Sequence, residues 1–209
     1  MNGTLYYIHD PMCSWCWGYH PIWDLLQKKL PPSIVVEYVA GGLAPDSNSP
    51  MPVAQQQMIK NHWRTIEKKL GTQFNHDFWH KNTPRRSTYN ACRAVIAAHK
   101  QACQQPMVEA IQQGYYLRAL NPSDLDVLID LARELCEQER LTLDVDKFIL
   151  DINSEETERE LARQITFARK LTQQGFPSLV LEVKDLCHPI AIDYLDYENT
   201  LSDINSLVG

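Results

Sequence analysis

No stretch of this 209-residue chain is apolar for long enough to span a bilayer, which takes about 20 residues. No block of lysine or arginine is present either. The 20 basic residues are scattered against 26 acidic ones, for a net charge of −6. Together these absences argue against a membrane protein and against a nucleic-acid or anionic-membrane role. The opening MNGTLYYIHD lacks a basic region followed by an apolar one, so no signal peptide is read. The expectation is the cytoplasm, where structural disulfides are rare. There is no internal repeat and no low-complexity segment. A chain of this length buries a full core without disulfides or a metal. One domain, or one domain carrying a large insertion, is expected.

Strand-like sequence is missing from the middle, between about Pro52 and Gly175. It is present at both ends. Thr4 to His9 is rich in β-formers and is broken by Asp10-Pro11. From about Cys13 to Lys29, Trp15, Trp23, Leu26 and Leu30 recur near helical spacing, with Pro21 inside the run as an expected kink or displaced boundary. Pro31-Pro32 ends it, and Ile34 to Val39 is a second strand closed by Gly41-Gly42. Strand–helix–strand at this length implies a parallel pair.

Helical patterns fill the middle. Residues 52–70 carry Met58, Trp63, Ile66 and Leu70 on one stripe, with Gly71 as the stop. Ser87 is a candidate cap for a helix over 87–103, and Pro106 suits the first turn of a helix over 106–119. Ser123 is expected to cap a helix through Leu135, with a short helix at 144–151. Asn153 and Glu156 resemble a capping box opening a long helix with Leu161, Ile165, Ala168 and Leu171 on one face, stopped by Gly175. After it come the strand FPSLVLEV, a hairpin partner in HPIAIDYL, and a closing helix from Tyr197 to Val208. The expected class is α/β: residues 1–50 and 175–209 form one unit, and 51–174 a helical insertion subdomain.

The chemistry centres on Cys13-Ser14-Trp15-Cys16. Beside a βαβ pattern in a cytosolic chain, C-x-x-C reads as a thioredoxin-like redox motif. Cys13 would sit at a helix N-terminus, where unpaired N–H groups and the positive end of the dipole favour a thiolate. Cys16 lies three residues on, on the same face, where it can resolve a mixed disulfide formed at Cys13. The rival is half of a zinc site, which needs four ligands. No second C-x-x-C exists, Cys187-His188 is the other adjacent pair, and His9 and His20 fit no standard spacing. No metal is therefore assigned. Cys92 and Cys103 fall on one expected helix, about 16 Å apart along its axis at 1.5 Å per residue, which excludes a disulfide between them. They, Cys136 and Cys187 read as small core residues.

Far downstream, Gly175-Phe176-Pro177 precedes a strand. Proline is permitted at a strand start. In thioredoxin-like folds, however, a cis-proline loop faces the C-x-x-C, and Phe176-Pro177 fits that place.

The segment DPMCSWCWG resembles the active-site signature of the DsbA family, especially its cytoplasmic FrnE-like branch of dithiol-disulfide isomerases. The likeness extends to the whole layout, from the opening βαβ through the helical insertion to GFPSLV and the final ββα. It implies a thioredoxin-like fold and thiol-disulfide exchange, with Cys13 nucleophilic, Cys16 resolving and Pro177 as the cis-proline. Substrate binding falls to Pro177, Phe176 and Trp15. It implies no cofactor beyond the Cys13–Cys16 disulfide itself, with glutathione as a candidate co-substrate. The expected partners are protein or small-molecule thiols and disulfides. One departure matters: no histidine lies between the cysteines, whereas the family's periplasmic oxidant has one that favours the thiolate. Asp10 nearby opposes a thiolate. Reductase or isomerase activity fits these features better than strong oxidation.

Trp15 and Trp17 flank Cys16. Either Trp15 is exposed beside Cys13 and receives an apolar substrate, or both rings pack under the helical block. His20 is a structural histidine or a proton relay. Arg85-Arg86 read as solvated charge, or as an anion site at the next helix start. Two alternatives share the scaffold. Glutathione-dependent isomerases of the 2-hydroxychromene-2-carboxylate type typically carry serine in place of the cysteine pair, and the intact CSWC counts against them. A non-enzymatic protease adaptor is the other.

Overall fold

The computed structural model describes residues 2–137 and 142–209. The chain opens with β1 (Gly3–His9), α1 (Ser14–Gln27) and β2 (Ile34–Ala40). Seven helices follow: α2 (Val53–Leu70), α3 (Phe78–Lys81), α4 (Tyr89–His99), α5 (Gln104–Tyr116), α6 (Leu125–Cys136), α7 (Val145–Ile152) and α8 (Glu155–Leu171). β3 (Ser178–Val183), β4 (Leu186–Ile190) and α9 (Tyr197–Val208) close the chain. The sheet order is β2-β1-β3-β4. β1 runs parallel to β2 and antiparallel to β3, and β3 pairs antiparallel with β4. This is the α/β layout expected, with a helical block between β2 and β3.

β1 is interior and buried on both faces, so its residues alternate between two cores. Leu5 and Tyr7 point to one side and pack with Trp23 and Leu26 of α1 and Ile204 of α9. Tyr6 and Ile8 point to the other and pack with Val39 and Ala168 of α8. The helices hold a separate apolar cluster, with Trp63, Phe78, Met107, Tyr116 and Phe148 at its centre. Ala40, Cys92, Ile96, Leu161 and Ile165 join the sheet edge to α4 and α8.

Several boundaries differ from the sequence reading, each for a tertiary reason. α1 continues through Pro21 as one helix, so of the kink or displaced boundary expected there the boundary is not displaced, although Pro21 cannot donate to the Trp17 carbonyl. The helix expected over 87–103 is shorter. Thr88, not Ser87, is its N-cap residue, and it ends at His99 because Ala102 turns left-handed (φ 57°). Cys103 then becomes the N-cap residue of α5, so Cys92 and Cys103 do not share a helix. Ser87 accepts from the Ser47 amide, and Ser123 donates to the Ser87 carbonyl (2.7 Å), leaving Asp124 as the N-cap residue of α6. Ser154, not Asn153, caps α8 by accepting from the Thr157 amide (3.1 Å). α8 ends at Leu171, before Gly175. Met58 of the expected α2 stripe is 47% exposed, whereas Trp63 and Ile66 are fully buried. α3 has no counterpart in the sequence reading.

His9 ends β1 inside a stack of rings. Its imidazole stacks on Tyr7 (5.1 Å between centroids), which stacks on Trp23 (4.3 Å), with Tyr38 edge-on to both Tyr7 and His9. Neither ring nitrogen has a hydrogen-bond partner among the described residues. Burial alone pushes the His9 pKa down to about 3. An unfolded histidine titrates near about 6.5. Between those values unfolding takes up a proton, so this group makes stability fall as pH drops, by up to about 1.4 kcal/mol per pH unit. His9→Phe keeps the stack and should flatten that limb. Urea unfolding near pH 7 and near pH 4 checks it: the variant should lose less stability than the parent between the two, and equal losses would contradict the assignment.

Candidate active site at the Cys13–Cys16 pair

The backbone turns sharply at the end of β1. Met12 N–H donates to Asp10 Oδ1 (2.8 Å) and Cys13 N–H to the Asp10 carbonyl (3.0 Å), a turn closed by the aspartate's own side chain and backbone. Cys13 is the N-cap residue of α1, with extended backbone (φ −83°, ψ 117°). Its sulfur takes the position that a capping oxygen fills in most helices. Cys16 sits three residues on, in the first turn. Cys13 is 6% exposed and Cys16 not at all. Both are free thiols.

Opposite them comes the loop before β3. The Phe176-Pro177 bond is cis. The Phe176 carbonyl accepts from the Cys13 thiol at 3.4 Å. Gly41 explains how Phe176 fits: a Cβ there would lie 2.1 Å from the Phe176 ring, so only glycine permits the approach. Thus Cys13, Cys16, Phe176 and Pro177 come together from segments some 160 positions apart. Trp15 stands at the margin, half-buried and edge-on to Tyr194 (5.3 Å). Trp17 turns the other way, stacking on Tyr116 (5.7 Å) and donating from Nε1 to the Gln73 carbonyl (3.0 Å). The two tryptophans therefore divide between the active face and the helical core. His20 stacks on Trp17, and its Nε2 lies 3.5 Å from Asp24.

Asp10 is the part of this site that the sequence reading valued least. Its carboxyl is fully buried. Oδ2 accepts from Leu43 N–H (2.7 Å), the Thr88 hydroxyl (2.7 Å) and, more weakly, the Cys92 thiol (3.6 Å). Burial pushes its pKa up, and these bonds with the one from Met12 partly offset the rise. Leu43, Thr88 and Cys92 lie 33 to 82 positions from Asp10, so no local signal announces them.

Opposing influences set the two thiols apart. For Cys13, hydrogen bonding from the Cys16 thiol lowers the pKa most. Burial raises it, the Cys16 and Trp15 amides lower it, and the Asp10 charge raises it, with a net fall. For Cys16, burial comes first, followed by the hydrogen bond to Cys13 and its charge, and the pKa rises well above the ordinary thiol range. One thiol is set to ionise and the other to keep its proton. That is the arrangement in which an outer sulfur attacks and an inner one follows. Among the described residues no group of three or more His, Cys, Asp or Glu side chains is placed to hold a metal ion.

Asp10→Asn removes the like charge beneath both sulfurs. The midpoint of Cys13 ionisation, read by thiolate ultraviolet absorbance, should fall by about one unit, the order expected for losing a like charge at short range. An unchanged midpoint would show that Asp10 carries no charge in that pH range.

The family model described as thioredoxin matches residues 6–186. Among curated proteins, the ClpXP adapter protein SpxH of Halalkalibacterium halodurans is 25% identical over 182 residues, covering 84% of this chain; the chain spans only 57% of that relative's length. A Nitrosomonas europaea structure described as a candidate protein disulfide isomerase superposes with a TM-score of 0.85 at 24% identity, covering 100% of this chain and 98% of the other. The cytosolic disulfide reductase DsbM of Pseudomonas aeruginosa gives 0.77 at 22% identity, covering 98% of both chains, and its structure with GSH gives 0.76 at 21% with the same coverage. At these identities the likeness is one of fold. The chain belongs to the thioredoxin family, and its fold is that of the DsbA-like members.

Proposed function

We propose that the protein is a thiol-disulfide oxidoreductase working through Cys13 and Cys16. The observation that supports this reading best is the pairing of a cysteine at a helix N-terminus, beside an open cavity, with a fully buried partner thiol and a facing cis-proline loop. The Cys13 thiolate attacks one sulfur of a substrate disulfide. The S–S bond breaks, one thiolate leaves with the electron pair, and a mixed disulfide forms at Cys13. Cys16 then attacks Cys13 Sγ, releases the second substrate thiol and passes its proton to it. The substrate gains two electrons and the enzyme becomes the Cys13–Cys16 disulfide. Two molecules of a thiol such as glutathione restore the dithiol by the reverse exchange. Phe176 and Pro177 offer backbone to the substrate beside Cys13, and Trp15 an apolar ring. Residues 51–174 act as an inserted subdomain that walls this face.

The direction of flow follows from how far the thiolate is favoured. Strong oxidants stabilise their reduced form. Here no histidine stands between the cysteines, and the Asp10 charge works against both thiolates. A reductase or isomerase working in the cytoplasm fits that balance. The DsbM relative is named a cytosolic reductase and has been captured with GSH, which supports the same reading. Among the described residues no helix is long and apolar enough to cross a membrane.

The SpxH relative favours a second reading, in which the scaffold delivers another protein to a protease. The cysteines separate the two. Under the redox reading Cys13→Ser abolishes reduction of insulin disulfides, and Cys16→Ser accumulates mixed disulfides at Cys13, seen as thiol-sensitive bands on non-reducing gels. Under the adaptor reading Cys13→Ser keeps partner binding and phenotype, and the wild type neither reduces insulin nor traps a partner.

A further inference from the structure

Cys13 opens into a cavity of about 190 Å³ that the exchange chemistry alone does not explain. Its walls are largely apolar, with Trp15, Met51, Met58 and Phe176 among them. Two arginines, Arg85 and Arg86, line it from the segment before α4. None of the lining residues is acidic. In a chain with six more acidic than basic residues, a basic cavity free of carboxylates around the nucleophile is a local reversal of charge.

The two arginines are not equivalent. Arg85 pairs with Asp124 at 2.5 Å and is tied to the start of α6. Arg86 is half-buried, yet no carboxylate lies within ion-pair distance and no hydrogen bond engages its guanidinium among the described residues. A guanidinium that no carboxylate engages is free to take an anion from a ligand, and such a charge-assisted pair is among the stronger hydrogen bonds. Its planar fork matches a carboxylate at two points. The space is that of about six water molecules at roughly 30 Å³ each, which suits an arm of a small molecule rather than a folded surface.

We infer that Arg86 determines substrate specificity by binding a carboxylate of a small anionic thiol or disulfide whose sulfur is presented to Cys13. The inference rests on the thiol-disulfide reading and names the substrate class for that site. A peptide-like thiol with a free carboxylate fits this groove. Its sulfur is presented to Cys13, its carboxylate meets Arg86, and its peptide backbone lies along Met51 and Met58, which line the same cavity. An uncharged disulfide of similar reach lacks the second contact.

Glutathione disulfide and bis(2-hydroxyethyl) disulfide serve as the charged and uncharged probes. The reduced protein is mixed with each, and the rate of Cys13 oxidation is measured for the wild type, Arg86→Gln and Arg86→Lys. The ratio of the two rate constants, charged over uncharged, should fall at least about tenfold in Arg86→Gln, the order expected for one charge-assisted hydrogen-bond pair. Arg86→Lys should recover part of it, because charge is kept and the fork is lost. A ratio within twofold of wild type in Arg86→Gln would overturn the inference. A second measurement does not need the redox chemistry. S-methylglutathione should bind Cys13→Ser in calorimetry, more weakly once Arg86→Gln is added, and the dimethyl ester should bind both variants equally weakly. Absence of binding, or equal binding of acid and ester to Cys13→Ser, would also overturn it. Failure of the wild type to reduce either disulfide would sink the thiol-disulfide reading, while the calorimetry would still decide the role of Arg86.

Discussion

A carboxylate that pairs with no cation among the described residues lies at the end of β1, and the surrounding segments are organised by the need to satisfy it. Burying an ionised carboxyl costs several kcal/mol unless hydrogen bonds replace water. Asp10 receives them from Met12, Leu43, Thr88 and Cys92. Those donors belong to four places: the turn before α1, the loop after β2, the N-cap of α4 and its first turns. One side chain therefore ties the sheet, the helix bearing the cysteines and the helical block to a common point. Thr88 is held by that bond, which is why it stands at the start of α4 in place of Ser87.

The same charge sits under the reactive pair. At the N-terminus of α1 the amides of Trp15 and Cys16 and the Cys16 thiol favour ionised Cys13, while burial and Asp10 oppose it. The outcome is a thiolate favoured, but with a brake on it. For Cys16 a backbone hydrogen bond at Asp10 helps, but full burial and the Cys13 hydrogen bond and charge outweigh it. Burial and charge together lower Cys13 and raise Cys16, the difference that the proposed order of attack requires. On the open side the cavity outside Cys13 is lined by Arg85, which pairs with Asp124, by Arg86, and among the described residues by no acidic side chain.

Much of this was legible in the chain. The C-x-x-C between a strand and a helix, the Phe176-Pro177 loop, the parallel β1–β2 pair and the closing β-hairpin rest on local pattern, and local pattern survives folding. Helix ends were less legible. Ser87, Ser123 and Asn153 are all good capping residues, yet each was displaced by one position because its neighbour, Thr88, Asp124 or Ser154, takes the N-cap position. Cys103 was assigned to the helix of Cys92 because nothing in the sequence marks Ala102 as the residue that turns left-handed. The donors to Asp10 and the room that Gly41 leaves for the Phe176 ring were out of reach, since they depend on contacts across tens of residues between distant segments. Arg86 was visible only as one of a charged pair; that no carboxylate among the described residues pairs with it is a fact of three dimensions alone.

The most direct measurement is the pH dependence of iodoacetamide alkylation, followed residue by residue by mass spectrometry on the reduced protein. The predicted result is that Cys13 reacts first, with a midpoint below the ordinary thiol value of about 8.5, and that Cys16 stays protected until Cys13 is modified or the chain unfolds. A Cys13 midpoint at or above that value, or earlier reaction at Cys16, would contradict the assignment of Cys13 as the attacking thiolate.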